Sequence, residues 1–155
     1  MGAVSLAGEP HRFETRRTEQ GLMTSPEYLV GHGVDAVDIA DCSRLMILAG
    51  GSHLSRYFTA TELADIGQGA RQVERLAGRL AIKEAVLKAL RVGWGDGIAF
   101  TDVETVSNDS GAPAVVLHRR LSTLEKERSI GRWLVSMSHT SLVAVASAIA
   151  LSASA

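Results

Sequence analysis

Apolar and polar residues alternate along Val34-Asp35-Ala36-Val37-Asp38-Ile39, a period of two that predicts a strand with Asp35 on the same side as Val37 and Ile39. A helix is predicted from Asp41 through about Leu48, ended by Gly50-Gly51. Thr59-Ala60-Thr61-Glu62 has the spacing of a capping box and opens a short helix. From Arg71 to Arg91 the chain has no Pro, one Gly and repeated Leu, Ala, Lys and Glu, which predicts one long helix. Beyond it, Gly93, Gly95 and Gly97 alternate with Val92, Trp94 and Asp96 in a loop. Phe100–Val106 and Ala114–His118 are predicted strands of a hairpin, joined by the turn formers Asn108-Asp109-Ser110-Gly111-Ala112-Pro113. A short helix over Leu121–Arg128 follows, then strands Trp133–Ser138 and Leu142–Ile149 around His139-Thr140-Ser141. Helices set between antiparallel pairs indicate an α+β fold, an antiparallel sheet packed on a long helix.

Patterned sequence begins near Tyr28, so residues 1–27 are expected to form a flexible extension and residues 28–155 the domain. A chain of 155 residues with 46% apolar residues buries roughly 70% of its unfolded surface, enough for one core. Sixteen Lys plus Arg against seventeen Asp plus Glu leave a net charge of −1, which argues against nucleic acid as a partner. The single Cys42 cannot form an internal disulfide and has no second cysteine or nearby histidine at metal-ligand spacing. The first thirty residues lack the apolar run of a secretory signal. The longest apolar stretch, Leu142 to Leu151, is about half of a membrane span. The expected setting is the cytoplasm, away from membranes.

Around the long helix, Val73, Ala77, Leu80 and Leu87 fall within about 60° of Glu84, so this carboxylate projects from the apolar stripe. Buried, it needs a cation or a hydrogen-bond network. Lys88 is one turn on, and the two could form an ordinary i,i+4 pair. Asp35, if it also faces inward, would repel Glu84 by roughly 4 kcal/mol at 4 Å and an effective dielectric near 20 unless a divalent cation joined them. Mg²⁺ suits such a pair, with water and substrate phosphates completing its shell. Alternatively Asp35 is a turn or cap carboxylate beside Gly33. Arg79, Lys83 and Lys88 on the helix, with the glycine loop after it, suit a polyphosphate ligand. Each could instead be a solvated helix charge. His139, within Ser136-Met137-Ser138-His139-Thr140, either bonds a phosphate or caps a turn. Ser138 lacks the Gly-x-Ser-x-Gly setting of a hydrolase nucleophile, and the histidines lack zinc spacing.

The string Gly33-Val34-Asp35-Ala36-Val37-Asp38-Ile39, then Phe58-Thr59-x-x-Glu62, then Leu76 through Leu90 with its Lys83-Glu84-Ala85-x-x-Lys88-Ala89 core, resembles the holo-acyl-carrier-protein synthase family of short 4′-phosphopantetheinyl transferases. The likeness continues through Asp102-Val103-Glu104-Thr105-Val106, Gly111-Ala112-Pro113 and Ser136-Met137-Ser138-His139-Thr140, from about Val30 to Leu151. It implies a 4′-phosphopantetheinyl transferase-like fold and a Mg²⁺-dependent transfer of 4′-phosphopantetheine from coenzyme A to a serine of an apo acyl carrier protein or carrier domain. Adenosine 3′,5′-bisphosphate would be released. It implies that Asp35 and Glu84 hold the metal, that Lys88 aids the departing phosphate, and that Arg79, His139 and Thr140 bind nucleotide phosphates. Gly93 and Gly95 would let backbone approach the coenzyme. The general base stays open between Glu84 and a water on the metal.

The resemblance further implies a homotrimer with sites at subunit contacts. Ile82, Val86 and Ala89, opposite Glu84 on the helix, either serve that assembly or are buried within their own subunit. Where many relatives have an arginine six residues after the metal aspartate, this chain has Asp41, with Arg44 nearly one turn later. Which carrier is recognised is thereby left open. A module that binds coenzyme A or a carrier without turnover is the alternative, and a Mg²⁺-dependent phosphohydrolase is disfavoured by the lack of a third acidic ligand at obvious spacing.

Overall fold

The computed structural model describes residues 27–153 except 96 and 109. The predicted extension lies outside the described residues apart from Glu27, whose carboxylate is 3.6 Å from Arg132 Nη1. In order, the chain forms β1 (Leu29–Asp38), α1 (Ile39–His53), a 3-10 turn (Leu54–Arg56), α2 (Ala60–Ile66) and α3 (Gln72–Ala89). A second 3-10 turn (Phe100–Asp102), β2 (Val103–Ser107), β3 (Pro113–Leu117), α4 (Arg119–Glu127), β4 (Ile130–His139) and β5 (Val143–Ser152) complete it. The three long strands make an antiparallel sheet in the order β1-β5-β4, and β2 with β3 makes the hairpin. The fold is α+β, as the pattern indicated.

Helix α3 is the axis around which the rest is built. Leu76, Ile82, Val86 and Leu90 on it are fully buried, each stabilising the fold by roughly 1.5–3 kcal/mol. Against that, a surface ion pair worth a few tenths of a kcal/mol cannot set the helix's rotation. The sheet lays Ala144, Ala146, Ala148 and Ala150 of β5 into the core, and these small side chains let α3 approach closely. Contact is closest at β1. A Cβ on Gly33 would stand 2.0 Å from the Ala85 carbonyl oxygen, and one on Gly31 would stand 2.2 Å from that of Ala89. Two residues along β1 therefore match four along α3, and Asp35, the next inward position, comes level with the turn that carries Glu84.

Several boundaries differ from the sequence pattern. Asp38 caps α1, its Oδ1 accepting from the Ala40 and Asp41 backbone N–H groups at 2.8 and 3.3 Å, so the helix starts earlier than Asp41. It also runs through Gly50-Gly51. Leu54 and Phe58, buried just beyond, anchor the chain where glycine alone would let it end. Phe100–Asp102 turns as a 3-10 segment instead of opening the strand, because Asp102 Oδ2 accepts from its own upstream Ala99 N–H at 2.9 Å. The Thr59–Glu62 capping box is present, with both bonds made.

Ile82, Val86 and Ala89 are buried within their own subunit. The surplus apolar face of α3 is thus consumed by the fold, and it offers nothing to an assembly. Exposed apolar side chains lie elsewhere, among them Ile47 and Leu48 on α1, Leu142 in the β4–β5 turn, and Val34, Leu134 and Val145 on the outer face of the sheet. Among the described residues no helix is long and apolar enough to cross a membrane.

Candidate active site

The parity of β1 turns Asp35 inward with Gly33 and Val37, and its side chain is 16% exposed. Its partner is Lys88, whose Nζ donates to Asp35 Oδ1 at 2.6 Å. That bond, then the Asp35 charge, raises the Lys88 ammonium above its usual range, and Glu84 adds to the effect. The simple i,i+4 pair of Glu84 with Lys88 is therefore replaced by a cross-element pair, with Glu84 close enough to be felt. Glu84 itself is half-buried, and its Oε1 accepts from Trp94 Nε1 at 2.5 Å.

Trp94 had no assigned role in the sequence. It sits in the glycine loop and stacks on Phe100 with ring centroids 3.8 Å apart, which fixes the indole N–H against Glu84. An aromatic between glycines ten residues beyond an acid on the apolar stripe is the signal that could have marked it. Gly95 and Gly97 adopt φ of +116° and +79°, a region that favours glycine, and Ile98 N closes the turn on Gly95 O at 2.8 Å. Gly93 is exposed beside them.

Asp35, Glu84 and Lys88 thus gather at one face where β1, α3 and the glycine loop meet. The donor set suits a hard divalent cation that takes one or two carboxylates and leaves other positions to water and phosphate. Among the described residues there is no group of three His, Cys, Asp or Glu side chains that could hold a metal alone. Two carboxylates would leave the rest of such a shell to water and phosphate oxygens.

Lys83 is not part of this group. It is fully buried, and its ammonium donates to Glu62 Oε2 at 2.8 Å, to Phe100 O at 3.0 Å and to Val103 O, which uses all three protons. Burial pulls it below the usual lysine range, opposed chiefly by Glu62. Glu62 completes the network, accepting from Thr59 N and Thr105 N. The expected phosphate ligand is a core cation that ties α2 and β2 to α3.

Arg79 projects roughly 140° around α3 from Glu84, being five residues earlier. It is nine-tenths buried, with Nη2 3.6 Å from Asp65 Oδ2. Burial lowers its guanidinium below the ordinary range while Asp65 and then Glu62 oppose the shift. Its Nε has no hydrogen-bond partner. It lines a cavity of about 400 Å³ with Arg75, Asp65, Thr105, Gly111 and Pro113. Met137 reaches the same cavity and packs on Gly78. His139, two residues on along β4, lies on the same face, exposed, and Thr140 Oγ1 accepts from Leu142 N and Val143 N in the β4–β5 turn. The chain therefore carries two separate polar clusters along α3, an acidic pair with Lys88 and a cationic cavity around Arg79.

Comparison with known proteins gives concordant results. Residues 31–145 match the model of the 4′-phosphopantetheinyl transferase superfamily. The holo-[acyl-carrier-protein] synthase of Geobacter sulfurreducens is 36% identical over 118 residues, 76% of this chain and 94% of that protein. That of Moorella thermoacetica is 37% identical over 117 residues, 76% of this chain and 90% of the relative. Among solved structures, the holo-[acyl-carrier-protein] synthase of Neisseria meningitidis superposes with a TM-score of 0.72 at 29% identity, covering 79% of this chain and 98% of the other. The Helicobacter pylori synthase, solved in complex with coenzyme A, gives 0.68 at 26% identity, covering 77% and 98%.

Proposed function

This chain belongs to the holo-acyl-carrier-protein synthase family of 4′-phosphopantetheinyl transferases, and on that premise we propose that it moves 4′-phosphopantetheine from coenzyme A to a serine of an apo carrier protein with Mg²⁺ and releases adenosine 3′,5′-bisphosphate. The observation that carries the reading is the juxtaposition of Asp35 with Lys88, next to Glu84. Asp35 and Glu84 would hold the Mg²⁺. When bound, the ion would offset charge on the pyrophosphate oxygens. The serine Oγ forms a bond to the phosphorus that bears the pantetheine arm, and the bond from that phosphorus to the bridging oxygen breaks, with the electron pair leaving on the nucleotide. Lys88, cationic throughout, is placed to offset the charge on that leaving phosphate. The serine proton passes to Glu84 or to a water; the two routes differ only in the first acceptor. Trp94 orients Glu84 by donating to its Oε1.

The Arg79 cavity receives the nucleotide end of coenzyme A, with His139 and Thr140 at its approach. Two half-sites on different sides of α3 favour a site completed between subunits, as the family's homotrimer implies. The uncovered outer face of the sheet, with Val34, Leu134 and Val145, is the surface for that assembly. Carrier choice rests on α1. Arg44 is ion-paired to Asp41 at the exposed start of this helix, so its charge is partly spent within the chain, and a carrier less acidic at that point fits best.

Mass spectrometry of a panel of apo carrier proteins incubated with coenzyme A tests the proposal. The expected result is that at least one carrier gains the mass of a phosphopantetheine with Mg²⁺ present and none does with chelator. No gain on any carrier would overturn it.

A further inference from the structure

A donor orients a carboxylate only as well as the donor itself is held. The Trp94 indole, which donates to Glu84 Oε1 at 2.5 Å, stands between Gly93 and Gly95, and glycine gives a backbone more freedom to lose than any other residue. The bond from Ile98 N–H to Gly95 O at 2.8 Å closes the turn after the indole but leaves the ring untouched. What holds the ring is Phe100, with centroids 3.8 Å apart and planes 23° apart. Phe100 is itself fixed from several directions. Its ring meets Tyr57 at 4.8 Å and 55°, and its carbonyl accepts from the buried Lys83 ammonium at 3.0 Å. The 3-10 turn that carries it is closed by Asp102 Oδ2, which accepts from Ala99 N–H at 2.9 Å. Trp94 packs at the margin of the core cluster of Val86, Leu90 and Val103, and Tyr57 at the margin of the cluster of Leu54, Phe58 and Leu76. Phe100 thus ties a glycine-rich loop to elements that do not move with it. A leucine could fill much of that space, but it could not stack on an indole.

We infer that Phe100 is a positioning residue for Glu84: its ring fixes the Trp94 indole, and the indole fixes the carboxylate. The inference rests on the reading of Glu84 as a Mg²⁺ ligand in the transfer reaction. Groups that orient a direct ligand without touching the metal commonly change metal affinity or rate by roughly 10–100-fold.

The test compares Phe100→Leu, Phe100→Tyr, Trp94→Phe and the double variant Trp94→Phe/Phe100→Leu, all in a Trp133→Phe background where Trp94 is the remaining tryptophan. Trp133 donates to Glu125, so its replacement leaves the Glu84 bond in place. The measurements are near-UV circular dichroism of the indole without metal or coenzyme, Mg²⁺ affinity with coenzyme A present by calorimetry, and kcat and KM at saturating Mg²⁺. All are taken below each variant's melting transition, and Phe100→Met takes the place of Phe100→Leu if leucine prevents folding. Phe100→Leu is expected to lose the dichroism of the fixed indole while its far-UV spectrum stays native. Its kcat and Mg²⁺ affinity are expected to fall roughly ten-fold, with KM for coenzyme A within about two-fold of the parent. Phe100→Tyr, which keeps the ring, is expected to match the parent. Trp94→Phe, which keeps a ring but no N–H, is expected to lose as much as Phe100→Leu, and the double variant no more than either, because both sever one connection. Lost dichroism with parent-like kcat and Mg²⁺ affinity would make the stack a packing feature and overturn the inference. Retained dichroism in Phe100→Leu, or losses that add in the double variant, would overturn it as well, since Phe100 would then not act through Trp94. If the parent neither binds Mg²⁺ nor transfers, the assignment of Glu84 to the metal fails first and takes the inference with it.

Discussion

Glu84→Gln is expected to slow transfer to the carrier by about 10²–10³-fold or more while the protein melts within a few degrees of the parent. Glutamine is nearly isosteric and keeps an oxygen for the Trp94 indole, which donates to Glu84 Oε1. The stability at risk is therefore one hydrogen bond, about 1 kcal/mol. What is lost is the charge: one of the two carboxylates that would hold a divalent ion, and with it one candidate for the serine's proton acceptor. Initial rates on an apo carrier, with melting curves on the same samples, separate the two effects. A variant that folds and still transfers within ten-fold of the parent would show that Glu84 is a structural carboxylate after all.

Lys83→Met is expected to do the opposite, lowering stability by about 3–5 kcal/mol because Glu62 is left as a buried charge without its cation. The amides of Thr59 and Thr105 would still donate to the carboxylate, which holds the loss below that of a naked charge. Two carbonyls, Phe100 O and Val103 O, would lose their donor as well. Replacing both partners, Lys83→Met with Glu62→Leu, is expected to recover part of the loss, since an apolar pair of similar volume avoids the desolvation. Urea unfolding of the two variants measures this. If Lys83→Met left stability unchanged and weakened coenzyme A binding instead, the lysine would be the phosphate ligand that its position on the helix first suggested.

That contrast marks how far the sequence could be read. Composition located the long helix, a run without Pro and rich in helix formers, and alternation located the strand parity of Asp35, because both leave a direct trace in residue order. The Thr59–Glu62 cap was equally legible, since its partners are three residues apart. What was hidden depends on groups remote in sequence. The pairing of Lys88 with Asp35 spans fifty-three residues, and that of Lys83 with Glu62 spans twenty-one. On a helical wheel Lys83 and Lys88 are both helix charges; only the elements laid against α3 make one a core cation and the other a site cation. The Trp94 bond to Glu84 was hidden for a further reason, that a glycine loop's path is not fixed by its own composition. The small residues of β1 were visible as a glycine-rich string, but that they serve the approach of β1 to Ala85 and Ala89 is a fact of packing.

The claim on which the mechanism rests is that Asp35 and Glu84 grip a divalent ion together. It is tested most directly by titrating Mg²⁺ into the complex with coenzyme A by calorimetry, for the parent and for Asp35→Asn and Glu84→Gln separately. Each substitution alone is expected to weaken Mg²⁺ binding by more than the roughly 10–100-fold that changes outside the metal's direct ligands cost. Parent-like affinity for Mg²⁺ in either variant would contradict a shared ion.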